Sequence, residues 1–167
     1  MNIPILSWFF GNTSDSEDSQ LRHQRKRDSD IRRVDMDIKS IEDRKKHLLF
    51  EMHGAFIEHL QQHEEQLEGN ASDKAREALK EHLLPLKALK PNKTERALGD
   101  FPRTLEDINR RFLKKVPCSL ALFEDFVHSL LTIVGQERNL LQRKLKLLGI
   151  EEVYHDQKRN VEDALAA

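Results

Sequence analysis

The longest helix-compatible stretch of this sequence runs from Asp15 to Leu67. It contains no proline, and Gly54 is its only glycine. Apolar residues recur along it at steps of three and four, the spacing that places side chains on one face of an α-helix. We therefore predict one long helix over about 15–67. The apolar positions of this predicted seam are Ile31, Val34, Ile38, Ile41, Leu48, Met52, Phe56, Leu60 and Leu67, and Lys45 occupies one position within it.

The predicted seam drifts around the helix and does not repeat strictly every seven residues. Such drift favours a helix that packs in a bundle over a strict two-stranded coiled coil. Roughly 50 helical residues would extend ~75 Å, because the rise is 1.5 Å per residue. A compact domain of 167 residues does not require that length. We therefore expect either a break near Gly54 or an elongated molecule.

Glycine and proline divide the remainder of the chain. Gly69 and Asn70 predict the end of the first helix, because glycine readily adopts the left-handed conformation at a helix C-terminus. A second helix is predicted over 72–88. Pro85 should bend or shorten it, because proline cannot donate the backbone hydrogen bond of a helix.

The segment from Pro91 to Pro102 is the clearest predicted loop, with its turn at Gly99 and Asp100. A short third helix should follow over 104–115. The fourth predicted helix, over 119–148, carries the most apolar residues.

The composition favours helices over sheets. Only 6 glycines and 5 prolines occur in 167 residues, and charged residues make up 34% of the chain. Sandwiches and barrels need a turn every 8–12 residues or so. We therefore predict an all-α protein, an elongated helical hairpin or bundle with one long N-terminal helix and a hydrophobic fourth helix. We divide the chain into an apolar docking peptide (1–11), a polar linker or helix start (12–20), a helical bundle domain (21–149) and an acidic C-terminal tail (150–167).

The first ten residues carry no charge and hold three of the ten aromatic residues. Such side chains are costly to leave in water, so they belong in the core, at a membrane interface or in the groove of a partner protein. The nine polar residues that follow give the segment independent reach. We therefore predict a docking peptide. Its docking residues are Ile3, Ile5, Leu6, Trp8, Phe9 and Phe10.

Two basic clusters stand out in a chain whose net charge is only -1. Such clusters bind the phosphates of nucleic acids or lipids, but neither is interleaved with several aromatic residues for base stacking. We interpret them chiefly as solvated faces, or as faces that pair with an acidic block. Residues 47–69 form such a block, with five glutamates and no lysine or arginine. The first cluster is Arg22, Arg25, Lys26, Arg27, Arg32 and Arg33, and the second is Arg110, Arg111, Lys114 and Lys115.

The motifs of common enzymes do not occur in the sequence. It holds no phosphate-binding glycine loop, no dinucleotide-binding glycine pattern, no serine-nucleophile elbow and no His-Glu-x-x-His zinc motif. We therefore predict no enzymatic activity, no cofactor, no bound metal and no small-molecule substrate.

Two other features have the residue types of reactive or metal-binding sites. His59 and His63 share a helix face, but two histidines are too few ligands for a metal, so we predict a solvated face. Cys118 follows Lys114 and Lys115 at a predicted helix N-terminus, a position that lowers the pKa of a thiol. Because no adjacent base can be named, we interpret Cys118 as a partly buried, inert thiol.

The order of segments resembles the ESCRT-III family of membrane-remodelling filaments. Those proteins begin with a short apolar peptide, continue into a long basic helix and end acidic. Residues 7–11 and the helix over 21–52 correspond to the first two features, whereas the acidic block 47–69 departs from the family's basic second helix. Glu137, Leu140, Arg143 and Leu147 match the family's C-terminal interaction motif in part, and Lys144 and Leu148 depart from it. The resemblance implies assembly at a membrane.

These observations predict a non-enzymatic adaptor or assembly subunit. It would bind a protein partner or another copy of itself through helix faces, and its apolar N-terminal peptide would dock on a membrane surface or a partner. The rival hypothesis is a nucleic-acid-binding accessory subunit that uses the basic clusters. With no secretory signal, no apolar run long enough to span a bilayer and a single cysteine, we expect a cytoplasmic protein, at most peripheral to a membrane.

Overall fold

The computed structural model describes the backbone of residues 7–149 and the side chains of residues 16–149. This part of the chain contains four α-helices, three short 3₁₀ helices and no strand. The all-α prediction, with a long first helix, is therefore confirmed. The helices are α1 (Ser7–Gln62), α2 (Ala71–Leu83), α3 (Pro91–Phe112) and α4 (Glu124–Leu147), and the 3₁₀ helices are Glu64–Gln66, Leu84–Lys87 and Leu120–Phe123.

Helix α1 runs for 56 residues without interruption. Gly54 does not break it. The helix begins at Ser7, so the segment 12–20, which we predicted to be a linker or a helix start, is part of α1. Serine and aspartate favour helix N-termini but do not prevent helix formation, and no proline follows until Pro85.

The buried face of α1 follows the predicted seam with one shift. Leu49 is fully buried in place of Leu48, which is half-buried and packs against the edge of the core. Ile31 and Ile38 are half-buried. The buried residues of α1 are Val34, Ile41, Lys45, Leu49, Met52, Phe56 and Leu60.

Pro85 shortens the second helix as predicted. Helix α2 ends at Leu83, and Pro85 lies at the start of the 3₁₀ helix Leu84–Lys87. Gly69 and Gly149 have φ angles of 61° and 71°. Both therefore adopt the left-handed conformation, and Gly149 does so just after α4, as predicted. The prediction that Gly69 and Asn70 end the first helix is wrong, because α1 ends at Gln62 and the 3₁₀ helix Glu64–Gln66 lies before Gly69.

The loop predicted over Pro91 to Pro102 is wrong, because this segment is the first half of α3. Pro91 lies at the start of the helix, where a missing N–H group costs nothing. Pro102 lies in the interior and is exposed, so its ring faces solvent. The buried residues of α3 recur at steps of three and four on both sides of Pro102, and this packing outweighs the lost hydrogen bond. They are Pro91, Thr94, Leu98, Phe101, Leu105 and Ile108.

Three aromatic rings form the centre of the core. The ring centroids of Phe101 and Phe123 lie 5.1 Å apart in an edge-to-face arrangement, and those of Phe56 and Phe123 lie 6.1 Å apart. Such pairs stabilise beyond the burial of their area. They join α1, α3 and the 3₁₀ helix that precedes α4.

The chain divides into two compact units. Residues 38–140 form one unit, which holds the aromatic core. Residues 7–37 and 141–149 belong to the other, in which Val34 is fully buried and Lys144 Nζ lies 2.7 Å from Asp35 Oδ1. The predicted bundle domain, 21–149, thus includes residues of both units.

Candidate interaction surfaces

The docking residues predicted near the N-terminus cannot be assigned a site. Ile3, Ile5 and Leu6 lie outside the described residues, and so do the side chains of Trp8, Phe9 and Phe10, whose backbone belongs to the first turn of α1. Within the described range, no helix combines the length and apolar character needed to cross a bilayer.

The first basic cluster lies on a stretch of α1 that has no buried side. Every side chain from Ser16 to Ser29 is exposed. At 3.6 residues per turn, five of the six side chains fall within one arc of about 120° that does not include Val34. Arg27 instead lines up with Ile31 and Val34, on the face that becomes buried further along. The basic face comprises Arg22, Arg25, Lys26, Arg32 and Arg33, all exposed.

The second basic cluster is largely paired with carboxylates. Arg110 Nη2 donates to Asp107 Oδ1 at 2.6 Å, and Arg111 Nη1 donates to Asp107 Oδ2 at 3.4 Å. The hydrogen bond from Arg110 lowers the pKa of Asp107, partial burial opposes this, and Arg111 adds to the lowering. Lys115 forms an ion pair with Glu68 and lowers the pKa of that carboxyl.

The pairing changes what the second cluster offers to a ligand. Lys114 is exposed and has no ion pair with any residue in the described part of the chain. Arg111 also lies with its guanidinium carbon 5.0 Å from the ring centroid of Phe112. This cluster therefore offers much less free positive charge than its sequence suggests. No residue of the first cluster forms an ion pair with another side chain that the structure describes, although Asp28 and Asp30 lie within it.

An apolar groove opens between α1, α2 and the 3₁₀ helix Leu84–Lys87. We call it the Phe50 groove. It has a volume of about 220 Å³ and is lined by Leu49, Phe50, His53, Lys80, Leu83, Leu84 and Lys87. Leu49 and Leu83 are buried, whereas Phe50 is 74% exposed and Leu84 is 51% exposed. The sequence did not predict this groove, because Phe50 lies next to the predicted seam and not within it. A large aromatic residue on the polar side of the predicted helix was the one indication of such a surface.

A lysine and a glutamate form a buried ion pair between α1 and α4. Lys45 Nζ lies 3.2 Å from Glu137 Oε2, and the two residues are 1% and 5% exposed. Lys45 also donates to the carbonyl oxygen of Leu89 at 3.3 Å. That carbonyl accepts a second hydrogen bond from the hydroxyl of buried Thr94. A lysine within an apolar seam predicts a buried acidic partner, but its position in the chain could not be read from the sequence.

His59, near the end of α1, lies against His63, which directly follows the helix. The ring centroids of His59 and His63 are 4.6 Å apart, and His63 Nδ1 lies 2.9 Å from the carbonyl oxygen of His59. Both are half-buried, so the predicted solvated face is wrong. No group of three or more His, Cys, Asp or Glu side chains suited to a metal ion occurs among the residues with described side chains.

Cys118 is buried in the core between α3 and α4. The side chain of Asn109 holds its backbone, because Asn109 Oδ1 accepts from the Cys118 N–H and Asn109 Nδ2 donates to its carbonyl, both at 2.8 Å. Burial raises the pKa of the Cys118 thiol to about 11. The thiol is therefore protonated and unreactive at neutral pH, which agrees with the interpretation as an inert thiol.

Comparisons with protein-family models, with curated proteins and with solved structures found no match for this chain. The resemblance to the ESCRT-III filaments therefore rests on the order of segments and on the partial match to the C-terminal interaction motif. Two exposed surfaces are candidates for binding, the basic face of α1 and the Phe50 groove.

Proposed function

We propose that this chain is a non-enzymatic adaptor or assembly subunit that binds a helix of another protein, or of a second copy of itself. One observation carries the proposal: α1 has no buried side chain between Ser16 and Ser29. In proteins most of the stability of a helix comes from tertiary packing, and this stretch has no buried side chain of its own. A partner that covers this part of α1 would supply the missing contacts.

The charge of this stretch defines the partner's chemistry. Residues 22–33 hold six basic residues and two acidic ones, a net charge of +4. An acidic helix face complements it, and opposite potentials both speed association and select the partner. The chain itself carries exposed carboxylates in the acidic block, at Glu58 of α1 and at Glu64 and Glu65 of the 3₁₀ helix that follows. Self-association through opposite blocks is therefore the simplest form of the proposal.

The predicted docking peptide adds a second contact. Its apolar residues would bind a partner groove or a membrane interface, which gives a cytoplasmic protein that acts at the periphery of a membrane. One short apolar segment anchors weakly, so it needs a second contribution such as the basic face of α1. Asp15, Glu17 and Asp18 lie between the two and oppose binding to anionic lipid, which favours a protein partner.

The test is the mass of the full chain in solution at low and high salt. The variant Arg22→Gln/Lys26→Gln/Arg33→Gln removes charge from the basic face. The control Lys74→Gln/Lys93→Gln/Arg96→Gln removes the same charge from exposed residues of α2 and α3. By light scattering at micromolar concentrations, we expect the wild type and the control to assemble, and salt to weaken the assembly. We expect the basic-face variant to be monomeric.

A wild type that stays monomeric at every concentration contradicts self-association. Binding to duplex DNA that weakens steeply with salt, and that only the basic-face variant loses, supports the nucleic-acid hypothesis instead.

A further inference from the structure

We propose that the Phe50 groove is a docking site for an acidic amphipathic helix of a partner protein. The groove lies wholly within the unit 38–140. It shares no residue with the stretch 16–33, so this inference goes beyond the proposed function and can fail or succeed independently of it.

The shape of the groove favours inserted side chains over a small-molecule ligand. Its volume of about 220 Å³ is below the ~300–1,000 Å³ typical of small-molecule pockets. Leu49 and Leu83 form a buried apolar floor, and Phe50 projects beside it without covering it. Exposed aromatic residues next to a shallow apolar depression are typical anchors of helix-in-groove recognition.

The charge around the groove defines the occupant. Lys80 and Lys87 line it, and no carboxylate does so among the side chains that the structure describes. Two carboxylates on the helices that line the groove contribute little to its neutralisation. Glu77 Oε1 lies 3.9 Å from Lys80 Nζ, and Glu51, next to Phe50 in sequence, lies 3.2 Å from His47 Nε2. A helix with leucine-like residues on one face and carboxylates beside them complements both the floor and the rim.

Gly54 lies one turn after Phe50 on the same side of α1. A Cβ atom added there would meet nothing within 4 Å, so the fold itself does not require glycine at this position. Glycine in a helix interior is unfavourable relative to alanine. The missing side chain leaves space for the backbone of another helix to approach next to Phe50.

The experiment selects ligands for the full chain from a displayed library of random peptides about four helical turns long. We expect the enriched peptides to combine helical apolar spacing with net negative charge. In the variant Lys80→Glu/Lys87→Glu, the preferred charge of the selected peptides should invert from acidic to basic. The control Lys74→Glu/Lys93→Glu carries the same charge change on exposed residues outside the groove and should keep the acidic selection.

The variant Phe50→Ala tests the anchor. Phe50 is mostly exposed, so the variant should keep the helical circular dichroism of the wild type. By fluorescence anisotropy, we expect the best selected peptide to lose about tenfold or more in affinity. The proposal is wrong if the selected peptides have no excess of acidic residues. It is also wrong if binding survives both Phe50→Ala and the charge reversal Lys80→Glu/Lys87→Glu.

Two further outcomes distinguish peptide docking in the groove from self-association and from binding to the basic face of α1. If no peptide is enriched and Phe50→Ala instead abolishes self-association, the groove is an interface between copies and the proposal is wrong. If the variant Arg22→Gln/Lys26→Gln/Arg33→Gln still selects acidic peptides, the acidic selection does not depend on the basic face of α1. This result supports the groove as the docking site, whether or not the proposed function of the basic face is correct.

Discussion

At the scale of single residues, the pair of Lys45 and Glu137 places two opposite charges among buried apolar side chains. Ile41 and Leu49 lie one turn to either side of Lys45, and Val134 precedes Glu137 on α4. Such a pair contributes little net stability compared with apolar residues, because both charges lose their hydration. We infer that the pair contributes specificity, because a different alignment of α1 with α4 would leave both charges buried without a partner.

Removing one partner should therefore cost much more than removing both. We expect Lys45→Met to lower the free energy of unfolding by about 3–5 kcal/mol, because Glu137 stays buried without its cation. The double variant Lys45→Met/Glu137→Leu should recover most of this loss. Urea denaturation measures both. Lys46→Met is the control, since Lys46 is about half-exposed, and an equal effect of the two single variants would contradict the buried pair.

His82 should make the stability depend on pH. Burial lowers the pKa of His82 below its ordinary 6.5, while the backbone of Ala97 and the carboxylate of Asp100 act in the opposite direction. The unfolded chain therefore takes up a proton at a higher pH than the folded chain does. We expect the free energy of unfolding to fall as the pH decreases below about 6.5, and to fall less in His82→Gln.

Urea denaturation from about pH 7 to about pH 5 tests this, because Glu68 and Asp107 have ordinary pKa values of 4.5 and 3.8 and contribute only at lower pH. The exposed His47 provides the control variant His47→Gln. The prediction is wrong if the stability of the wild type is constant over this pH range. It is also wrong if His82→Gln shows the same pH dependence as the wild type, because the lowered pKa of His82 would then have no effect on stability.

At the scale of helices, α3 is a segment in which the turn signals of glycine and proline conflict with the helical spacing of apolar residues. Local chemistry predicted a loop, because Pro91, Gly99 and Pro102 fall within twelve residues. The spacing of Leu98, Phe101 and Leu105 continues through Pro102 as in an unbroken helix, and this signal was the correct one. In α1 the apolar spacing was again the correct signal, because the helix continues through Gly54, and the prediction of a long helix was confirmed.

Pro102→Ala should therefore stabilise the protein. It restores a backbone donor for the carbonyl of Leu98, and it removes a ring that strains the helix. The greater freedom of the unfolded alanine chain offsets part of the gain, so we expect about 1–2 kcal/mol in the free energy of unfolding. Pro85→Ala, at the start of a 3₁₀ helix, is the control and should change little. Destabilisation by Pro102→Ala would mean that α3 needs a bend at this position.

At the scale of the whole molecule, the sequence predicted the fold class but not the surfaces. Periodicity identifies which side of a helix is buried, so the exposure of Arg22 and Lys26 followed from it. The neutralisation of Lys115 by Glu68 and the groove between Phe50 and Leu84 could not be predicted in this way. Both join residues more than thirty positions apart, and a single sequence does not indicate which distant residues meet.

The first ten residues should bind a partner surface and contribute little to the stability of the chain. The buried side chains of the hydrophobic core around Phe56, Phe101 and Phe123 all lie between Leu49 and Leu130. Deleting residues 1–10 therefore removes none of them. We therefore expect the deletion to leave the thermal midpoint nearly unchanged. It should abolish association with liposomes or with the partner, because burial of Trp8, Phe9 and Phe10 offers about 1.5–3 kcal/mol each. Differential scanning calorimetry and liposome co-sedimentation measure the two effects.

The matched control is Trp8→Ser/Phe9→Ser/Phe10→Ser, which keeps the chain length and removes only the aromatic surface. Equal loss of association in the deletion and in this variant assigns the contact to the aromatic side chains. If either change lowers the thermal midpoint by many degrees, these residues belong to the packed protein and the docking hypothesis is wrong. This follows because a peptide that acts only on a partner cannot contribute to the stability of the isolated chain.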